Sequence, residues 1–322
     1  MTPRLTVVVL GGTGFLGRHI REAFETAGAH VLGVSRSAPV RLELTRASTD
    51  RLRGLFAEAD ADVVVNATGL IWGADEAELT AVNATSVARL VEAVAGLNRR
   101  VRLVHLGSVH EYGPVPPGTG ITEDVPQEPA TVYGRSKLLG SRAVLDAAHA
   151  GAVDGTVLRI ANVYGPGAPR ASVLGGVAHH LAAIARGRKT GGGPGGRPGD
   201  APDGGPVAPL RLAPMDVRRD FVDVRDVAEA VLAAAPAPSV SGQAVNIGRG
   251  QAVGVRRLVD RMIALSGLAV PVVEEPRDDA RRPEAEWQRM DISRARRLLD
   301  WQPRRGVDES LRDQLAAQLA GV

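Results

Sequence analysis

Residues 11–17 read Gly11-Gly12-Thr13-Gly14-Phe15-Leu16-Gly17, and this glycine-rich stretch is the strongest indication of the fold. It follows a predicted strand at residues 5–10 and opens a predicted helix at residues 15–27, where apolar residues recur at helical spacing. Glycines at 11, 14 and 17 suit a tight turn, a backbone close to a pyrophosphate and a helix packed near the strand. The helix N-terminus attracts phosphates through its free N–H groups and its dipole. In this context nucleotide binding is favoured over a tight turn without a ligand, and the predicted cofactor-binding residues are Gly11, Thr13, Gly14, Phe15, Leu16 and Gly17.

Short apolar runs and amphipathic stretches continue to alternate after this turn. Further strands are predicted at residues 31–35, 62–67, 101–106 and 155–160. Helices are predicted at residues 49–59, 76–97 and 133–148. This alternation is typical of an α/β protein with a parallel sheet and helices on both faces, in the order of a doubly wound fold.

The later part of the chain is less regular. Residues 187–206 consist mainly of Gly, Pro and Asp, which predicts a flexible surface loop or an insertion. Residues 221–232 are predicted as a turn followed by a helix. A strand is predicted at 244–247 and helices at 255–266, 293–299 and 306–319. These elements predict a smaller α/β lobe over the C-terminal edge of the sheet.

The composition excludes several classes of protein. The 322 residues include no Cys, which excludes disulfide scaffolds, thiol catalysis and cysteine-based zinc sites, and we assign no metal-binding residue. No apolar run approaches the roughly 18 residues of a membrane helix, and residues 7–10 are too short for a signal peptide. The formal net charge is only +3, and four Phe, three Tyr and three Trp offer little stacking surface for nucleic acid. We therefore expect a cytoplasmic protein without a membrane or nucleic-acid partner.

The end of the second predicted strand, Ser35-Arg36-Ser37, bears on the choice between NAD and NADP. NAD-binding proteins of this kind usually have an acidic residue here, which binds the ribose 2′-hydroxyl. This sequence has no carboxylate to repel a 2′-phosphate, and Arg36 can pair with one. Ser35 and Arg36 therefore favour NADP(H), with NAD as the alternative if Arg36 is a solvated turn residue. A later predicted strand ends in Asn66 and three small residues that would let the cofactor pass: Ala67, Thr68 and Gly69.

Ser108, Tyr133 and Lys137 are the candidate catalytic residues. Tyr133 and Lys137 lie four residues apart in a predicted helix and therefore on one face, and Ser108 follows a predicted strand. A tyrosine has a pKa near 10, which a nearby ammonium lowers, and a serine hydroxyl can hold the reacting carbonyl oxygen. A surface Tyr and Lys with a capping Ser would show the same spacing. However, the chain has only two lysines, Lys137 and Lys189, and arginine cannot replace an ammonium that also binds ribose hydroxyls.

Together these motifs resemble the extended short-chain dehydrogenase/reductase family, of the NAD-dependent epimerase/dehydratase type that acts on nucleotide sugars. The resemblance covers nearly the whole chain. Its further carriers are Tyr112-Gly113, Asn162-Val163-Tyr164-Gly165-Pro166-Gly167, Arg219-Asp220-Phe221-Val222, Asp226-Val227-Ala228, Arg282-Pro283 and Asp291-Ile292-Ser293. It implies a Rossmann domain over residues 1–165, completed by parts of 215–250, and a sugar-nucleotide lobe mainly over 166–322. It also implies a homodimer, since the family commonly pairs through two long helices, here 76–97 and 133–148.

The resemblance also implies roles for individual residues. Ser108, Tyr133 and Lys137 match the catalytic residues of the family. Lys137 also matches a residue that binds the cofactor, and the resemblance places Ile160 and Val163 beside that cofactor. Asn83 matches a helix asparagine near the cofactor and the active site. Asn162 falls where the family contacts the substrate, and Arg219 and Arg282 match arginines that clamp its diphosphate. The implied substrate-binding residues are Asn83, Ser108, His110, Tyr133, Asn162, Arg219 and Arg282.

Departures from the family pattern narrow the function. The 4,6-dehydratases have Asp-Glu directly after the catalytic Ser or Thr, whereas this chain has Val109-His110, so we do not expect elimination of water. Glu111 comes one place late and would face the wrong way in an extended segment, and His110 is a candidate substrate contact. The 4-epimerases usually have an acidic residue after the second strand, unlike Ser35-Arg36. Glu284-Ala285 replaces the Gly-Asp that usually follows Arg-Pro in the family, so we expect the contacts that hold the nucleotide to differ here.

The expected activity is NADPH-dependent reduction of a nucleotide-linked 4-keto-6-deoxyhexose, with a dTDP-linked sugar for natural-product glycosylation as the expected substrate. Hydride would pass from the nicotinamide to the ketone carbon, and Tyr133 would protonate the developing alkoxide. Ser108 would hold that oxygen, and Lys137 would lower the pKa of Tyr133. One alternative is a nucleotide-sugar epimerase with tightly bound NAD. Another is a non-catalytic NADP-binding regulator, against which the presence of both Tyr133 and Lys137 counts.

Overall fold

The structure, a computed structural model, describes residues 4–191, 208–275 and 287–321, with the backbone alone at 188–191. The strands are β1 Thr6–Leu10, β2 His30–Ser35, β3 Val40–Arg41, β4 Val63–Asn66, β5 Arg102–Ser108, β6 Asp154–Ile160, β7 Asn162–Tyr164, β8 Leu210–Leu212, β9 Arg218–Asp223, β10 Ala244–Ile247, β11 Ala252–Gly254 and β12 Val272–Glu274. The helices are α1 Phe15–Thr26, α2 Thr49–Glu58, α3 Glu76–Thr80, α4 Ser86–Ala95, α5 Val132–His149, α6 Val173–Gly191, α7 Val224–Ala234, α8 Val255–Ser266, α9 Ser293–Leu299 and α10 Val307–Ala320.

Seven strands form one parallel sheet in the order β10-β6-β5-β4-β1-β2-β3. Six of them follow the order β3-β2-β1-β4-β5-β6, which is the order of a doubly wound nucleotide-binding fold. The chain changes direction across the sheet between β1 and β4, and the crevice at the C-terminal ends of these strands is where such folds bind ligands. The predicted α/β Rossmann sheet is therefore confirmed.

Both faces of this sheet are covered by helices. Successive residues of β1 point to opposite faces, because side chains alternate along a strand. Val7 and Val9 pack in one apolar cluster with Phe24 of α1, and Val8 packs in a second cluster with Phe56 of α2. All five of these side chains are essentially inaccessible to solvent. This two-sided burial explains why β1 is an uninterrupted apolar run in the sequence.

The C-terminal part of the chain adds a second, smaller group of elements. Its sheet has the order β11-β9-β7, and β12 pairs with β8. A separate apolar cluster includes Leu181 of α6, Leu258 of α8 and Leu311 of α10. Because β6 leads through one residue into β7, and β9 leads directly into α7, the chain passes between the two groups several times. Within the described ranges, no helix is long and apolar enough to cross a membrane.

Several elements differ from the sequence predictions, which did not include the short strands β3, β7, β8, β11 and β12. The single helix predicted at 76–97 is divided into α3, a π-helical turn at Ala81–Thr85 and α4. The turn predicted at Phe221 is part of β9, where Phe221 pairs with Asn162 of β7 and its ring packs edge-on against Tyr164. Helix α6 was not predicted; it extends to Gly191, so the predicted loop is helical at 187–191, and 192–206 lie outside the described residues.

Candidate active site

The glycine turn at the end of β1 leaves room only for backbone. Gly11 has φ +78°, and a Cβ atom there would lie 2.9 Å from the carbonyl oxygen of Ala67. A Cβ atom on Gly17 would lie 2.1 Å from the carbonyl oxygen of Gly11. Gly14 caps α1 without a side-chain hydrogen bond, and the first turn of α1 contains no acidic residue. Free N–H groups and a cradle without side chains fit the pyrophosphate of an NAD(P) cofactor.

Three hydroxyl groups cluster between this turn and the end of β2. The Oγ1 atom of Thr13 lies 2.8 Å from Oγ of Ser35 and 3.0 Å from Oγ of Ser37. Arg36, between the two serines, is exposed. Hydroxyl donors beside a guanidinium suit an anionic group, so Ser35 and Arg36 lie where the sequence placed them, at the edge of the nucleotide turn.

A buried polar chain runs beneath the turn from β4 to β5. The amide nitrogen of Asn66 lies 3.0 Å from Nδ1 of His105, and its amide oxygen accepts hydrogen bonds from the backbone and hydroxyl of Thr68. Burial, assisted by the charge of Lys137, holds the pKa of His105 well below its usual value. A neutral His105 therefore anchors residues 66–69, which pack against Gly11.

Ser108, Tyr133 and Lys137 are brought together at the C-terminal end of β5. Ser108 is the last residue of β5, and its side chain is close enough to the Tyr133 phenol to influence the pKa of that phenol. Lys137 is one helical turn beyond Tyr133 in α5, and its Nζ atom donates to the carbonyl oxygen of Leu106 at 2.6 Å. The ring of His110 lies edge-on to Tyr133, with 5.6 Å between centroids. The predicted catalytic set and His110 therefore form one cluster.

Burial dominates the electrostatics of this cluster. It raises the pKa of Tyr133 to about 12, against the opposing effect of the Ser108 side chain. It lowers the pKa of Lys137 to about 8, against the opposing charge of Glu111. Desolvation of the phenolate is the largest effect on the pKa of Tyr133 here, and the expected lowering of that pKa by Lys137 stays a prediction. Tyr133 is consequently neutral at pH 7, and its role as a proton donor stays a prediction.

The two predicted asparagines are engaged with the protein. The Asn83 side chain is buried, donates to the carbonyl oxygen of Leu70 at 2.8 Å and to Ser136 at 3.0 Å, and accepts from the Leu70 N–H at 3.0 Å. It thereby fixes the loop after β4 against α5. The amide of Asn162 donates to the Asp220 carbonyl and to Gln288, at 2.9 Å each. Substrate contact by either residue stays a prediction.

The remaining predicted residues are spread around the same edge. Ile160 ends β6 and pairs in register with Ser108, and Val163 lies in β7. Arg219 is half-buried in β9. Arg282 lies outside the described residues, as does its departure from the family pattern at 284–285.

Glu111 was expected to face the wrong way if its segment were extended, and the structure shows that the segment is not extended. Residues Val109–Glu111 form a 3₁₀ turn instead of an extended segment, which directs the Glu111 side chain into the interior, where it is 0% exposed. Its Oε2 atom accepts from Nε of Arg159 at 2.9 Å. The signal for this pair was present in the sequence: Arg159 interrupts an apolar strand, and a buried guanidinium requires a carboxylate partner.

Comparison with known proteins gives the same family that the motifs suggested. Residues 7–248 match the model of the NAD dependent epimerase/dehydratase family. The dTDP-6-deoxy-L-talose 4-dehydrogenase (NAD(P)(+)) of Kitasatospora kifunensis is 39% identical over 320 residues, covering 97% of this chain and 95% of the relative. The GDP-6-deoxy-D-mannose reductase of Pseudomonas aeruginosa is 27% identical, covering 97% of this chain and 96% of the relative.

The fold is shared with solved structures. The structure of RMD from Pseudomonas aeruginosa complexed with NADPH superimposes with a TM-score of 0.81 at 23% identity, covering 99% of each chain. The segment matched by the family model reaches from β1 to β10 and includes the glycine turn, Ser108, Tyr133 and Lys137. The chain therefore belongs to the NAD dependent epimerase/dehydratase family, whose enzymes use NAD(P) to oxidise, reduce or epimerise nucleotide-linked sugars.

Proposed function

We propose that the protein is an NADPH-dependent reductase of a nucleotide-linked 4-keto-6-deoxyhexose. The observation that carries this proposal is the placement of Ser108, Tyr133 and Lys137 together at the C-terminal end of β5, with Lys137 held by the carbonyl oxygen of Leu106. A reduction needs a proton donor at the ketone oxygen, and a phenol with a pKa of about 12 retains its proton at pH 7. The acid pair that elimination of water would need is replaced by Val109 and His110, of which Val109 is buried.

Each residue of the site would have a separate role in the reduction of the ketone. Bound NADPH would supply the hydride for the ketone carbon. Tyr133 transfers its phenolic proton to the ketone oxygen as that oxygen becomes an alkoxide, and Ser108 donates a hydrogen bond to the same oxygen. The ammonium of Lys137 compensates the charge left on Tyr133, and its position is fixed by the carbonyl oxygen of Leu106. Ketone, hydride and proton together give the alcohol, and the phenolate is reprotonated from water.

The preference for NADPH rests on the hydroxyl and guanidinium groups at the end of β2. Thr13 and Ser35 would offer hydroxyls to a 2′-phosphate, and Arg36 a positive charge. The glycine turn would hold the pyrophosphate. The name of the Kitasatospora kifunensis relative includes NAD(P)(+), which covers both cofactors.

The proposed substrate follows from the same relatives and from the second lobe. Both relatives are named for redox chemistry on a nucleotide-linked 6-deoxyhexose, one dTDP-linked and one GDP-linked. The 39% identity to the dTDP-sugar enzyme favours a dTDP-linked substrate. Residues 166–322 would form most of its binding lobe, with Asn162 and Arg219 toward the diphosphate and sugar and His110 toward the ketone.

The test is a direct assay of the purified protein. NADPH oxidation is followed with dTDP- and GDP-linked 4-keto-6-deoxyhexoses, and the product is identified by mass and by the configuration of its new hydroxyl. We expect NADPH consumption with the dTDP-linked ketone and slower consumption with NADH. Tightly bound NAD, together with product formation without added cofactor, would instead identify an epimerase. Cofactor binding with no turnover on any ketone would identify a regulator.

A further inference from the structure

A buried ion pair lies directly beneath the catalytic residues. Glu111 and Arg159 are 0% and 3% exposed, and their side chains are 2.9 Å apart at Oε2 and Nε. Nη1 of Arg159 donates to the hydroxyl of Tyr112 at 2.9 Å, and that hydroxyl donates to the amide oxygen of Asn246 at 2.8 Å. The guanidinium also lies 4.7 Å from the centroid of the Tyr112 ring. Each partner of the pair is therefore held in place by further contacts.

Stability alone is a weak reason for such a pair. The removal of two charges from water costs several kcal/mol per ion, and apolar side chains of similar volume often stabilise a core as well or better. We therefore expect this ion pair to have a role besides stability, and the hydrogen bonds of Glu111 indicate that role.

The other carboxylate oxygen of Glu111 connects the two elements that carry the catalytic groups. Oε1 accepts from the backbone N–H of Ser108 at 2.8 Å and from the hydroxyl of Ser141 at 2.8 Å. Ser141 follows Tyr133 and Lys137 by two and one helical turns, so the three side chains share one face of α5. One oxygen atom thus fixes the end of β5 against the catalytic face of α5.

Glu111 is also the acidic group of this cluster. The charged and titratable groups around Lys137 are Glu111 from the 3₁₀ turn, His105 from β5 and Tyr133 from α5. His105 is neutral, so the charge of Glu111 is the one that favours the ammonium against burial. On its far side Glu111 faces Arg159 of β6 and the neutral Tyr112.

We propose that Glu111 is a positioning residue of this active site: it fixes Ser108 against α5 and places a negative charge beside the face of α5 that carries Lys137. This inference rests on the proposed function for its kinetic test, but not for its spectroscopic one. The chemistry requires both effects, because Ser108 must meet the ketone oxygen and the ammonium must face the Tyr133 phenolate.

The effect of removing the charge has a defined sign. Glu111→Gln keeps the shape of the side chain and an acceptor oxygen, but it removes the negative charge. The loss of that charge favours the deprotonated forms of both Lys137 and Tyr133. The alkaline limb of the pH profile of kcat for ketone reduction should therefore move to lower pH by about one unit. Above that limb kcat should be about tenfold lower than in the unaltered protein.

The chain offers a matched control at the opposite end of the same strands. Arg102 begins β5 and Asp154 begins β6, and they form an ion pair with side chains 8% and 9% exposed. Six residues along β5 separate Arg102 from Ser108, which is about 20 Å. Asp154→Asn should reduce the unfolding free energy and leave the alkaline limb in place. An equal shift in Asp154→Asn and Glu111→Gln, or no shift in either, would refute the proposal.

A second measurement does not depend on turnover. With isotope-labelled lysine, nuclear magnetic resonance shows the side chains of only two lysines, and Lys189→Arg identifies the signal of Lys137. We expect Lys137 to lose its proton at lower pH in Glu111→Gln than in the unaltered protein. If that variant does not fold, the double variant Glu111→Gln, Arg159→Gln avoids an unpaired guanidinium at Arg159 and should show the same direction. An unchanged Lys137 titration overturns the proposal even if no ketone is reduced, whereas inactivity with a shifted titration overturns only the proposed function.

Discussion

The Nζ atom of Lys137 donates a 2.6 Å hydrogen bond to the carbonyl oxygen of Leu106, two residues before the catalytic Ser108. This bond joins α5 to the end of β5, so the ammonium and the serine are held by neighbouring parts of one strand. The ammonium is poorly solvated in this position, because Lys137 is only 3% exposed. This burial lowers the pKa of Lys137 to about 8. Function and stability therefore oppose each other at this position.

Lys137→Met should make the protein more stable and inactive. The pKa of Lys137 is about 8 in the folded state and 10.5 in the unfolded state. The charge therefore lowers the unfolding free energy by its full amount below pH 8 and has no effect above pH 10.5. The methionine stem fills the same space without a charge. We expect an increase in unfolding free energy on the order of 2 kcal/mol at pH 7, which disappears toward pH 10.5. Urea unfolding at the two pH values measures it. A variant less stable at pH 7 by a similar amount would contradict this account.

Tyr133→Phe should abolish reduction while preserving the site. The change removes only the hydroxyl that supplies the proton, so kcat should fall by about 10²–10⁴. The phenyl ring keeps its contact with His110, and NADPH affinity, measured by calorimetry, should stay within about twofold. Tyr164→Phe is the matched control, since Tyr164 belongs to the apolar cluster of the second lobe. Retained turnover in Tyr133→Phe would show that another group gives the proton.

Gly17→Ala should remove NADPH binding, and Gly54→Ala should not. Both glycines lie within helices, α1 and α2. A Cβ atom at Gly17 would come 2.1 Å from the Gly11 carbonyl oxygen and displace the turn, whereas at Gly54 it meets no atom within 4 Å. Alanine in an open helical position stabilises by about 0.5–1 kcal/mol. Calorimetric titration with NADPH and thermal unfolding of both variants measure these effects. Unimpaired binding in Gly17→Ala would mean that the turn does not form the cradle.

The fold could be predicted from the sequence because its signals are local. The apolar run of β1, the glycine turn and the periodicity of α1 are consecutive in the chain, and each agrees with the others. The spacing of Tyr133 and Lys137 on α5 likewise depends on one helix. The strand at Ala244–Ile247 and the helix at Val255–Ser266 were predicted with the bounds that the structure gives them.

The interior of the site could not be predicted in this way. The direction of Glu111 depends on whether residues 109–111 turn, and that turn is stabilised by Arg159, which is 48 residues away. The pKa of Tyr133 depends on burial by several elements, which the sequence spacing does not reveal. The π-helical turn at Ala81–Thr85 directs Asn83 toward Leu70 and Ser136, contacts equally absent from a local pattern.

Arg36→Asp should reverse the preference between NADPH and NADH. Arg36 is exposed between Ser35 and Ser37, whose hydroxyls face Thr13. An aspartate would repel a 2′-phosphate and accept hydrogen bonds from a ribose hydroxyl. We expect the ratio of kcat/KM for NADPH over NADH to fall by about 10–100-fold, since a charge-assisted hydrogen bond contributes about 1.5–3 kcal/mol. Arg46→Ala, at an exposed arginine paired with Glu43, should leave the ratio unchanged. An unchanged ratio in Arg36→Asp would locate the discrimination elsewhere.

Leu139→Arg should convert the homodimer that the family resemblance implies into a monomer. Leu139 lies in α5, one of the two helices through which pairing is predicted, and its side chain is 52% exposed although leucine gains from burial. Leu139 lies between the exposed Arg135 and Arg142, so Leu139→Arg gives this surface a third positive charge. In a two-fold interface the same surface of each copy meets, so these charges would repel each other. Leu319→Arg in α10 is the matched control, because that leucine is 40% exposed on another helix. Sedimentation equilibrium should give a dimer for the unaltered protein and for Leu319→Arg, and a monomer for Leu139→Arg. A dimer that survives Leu139→Arg would place the interface on a different surface.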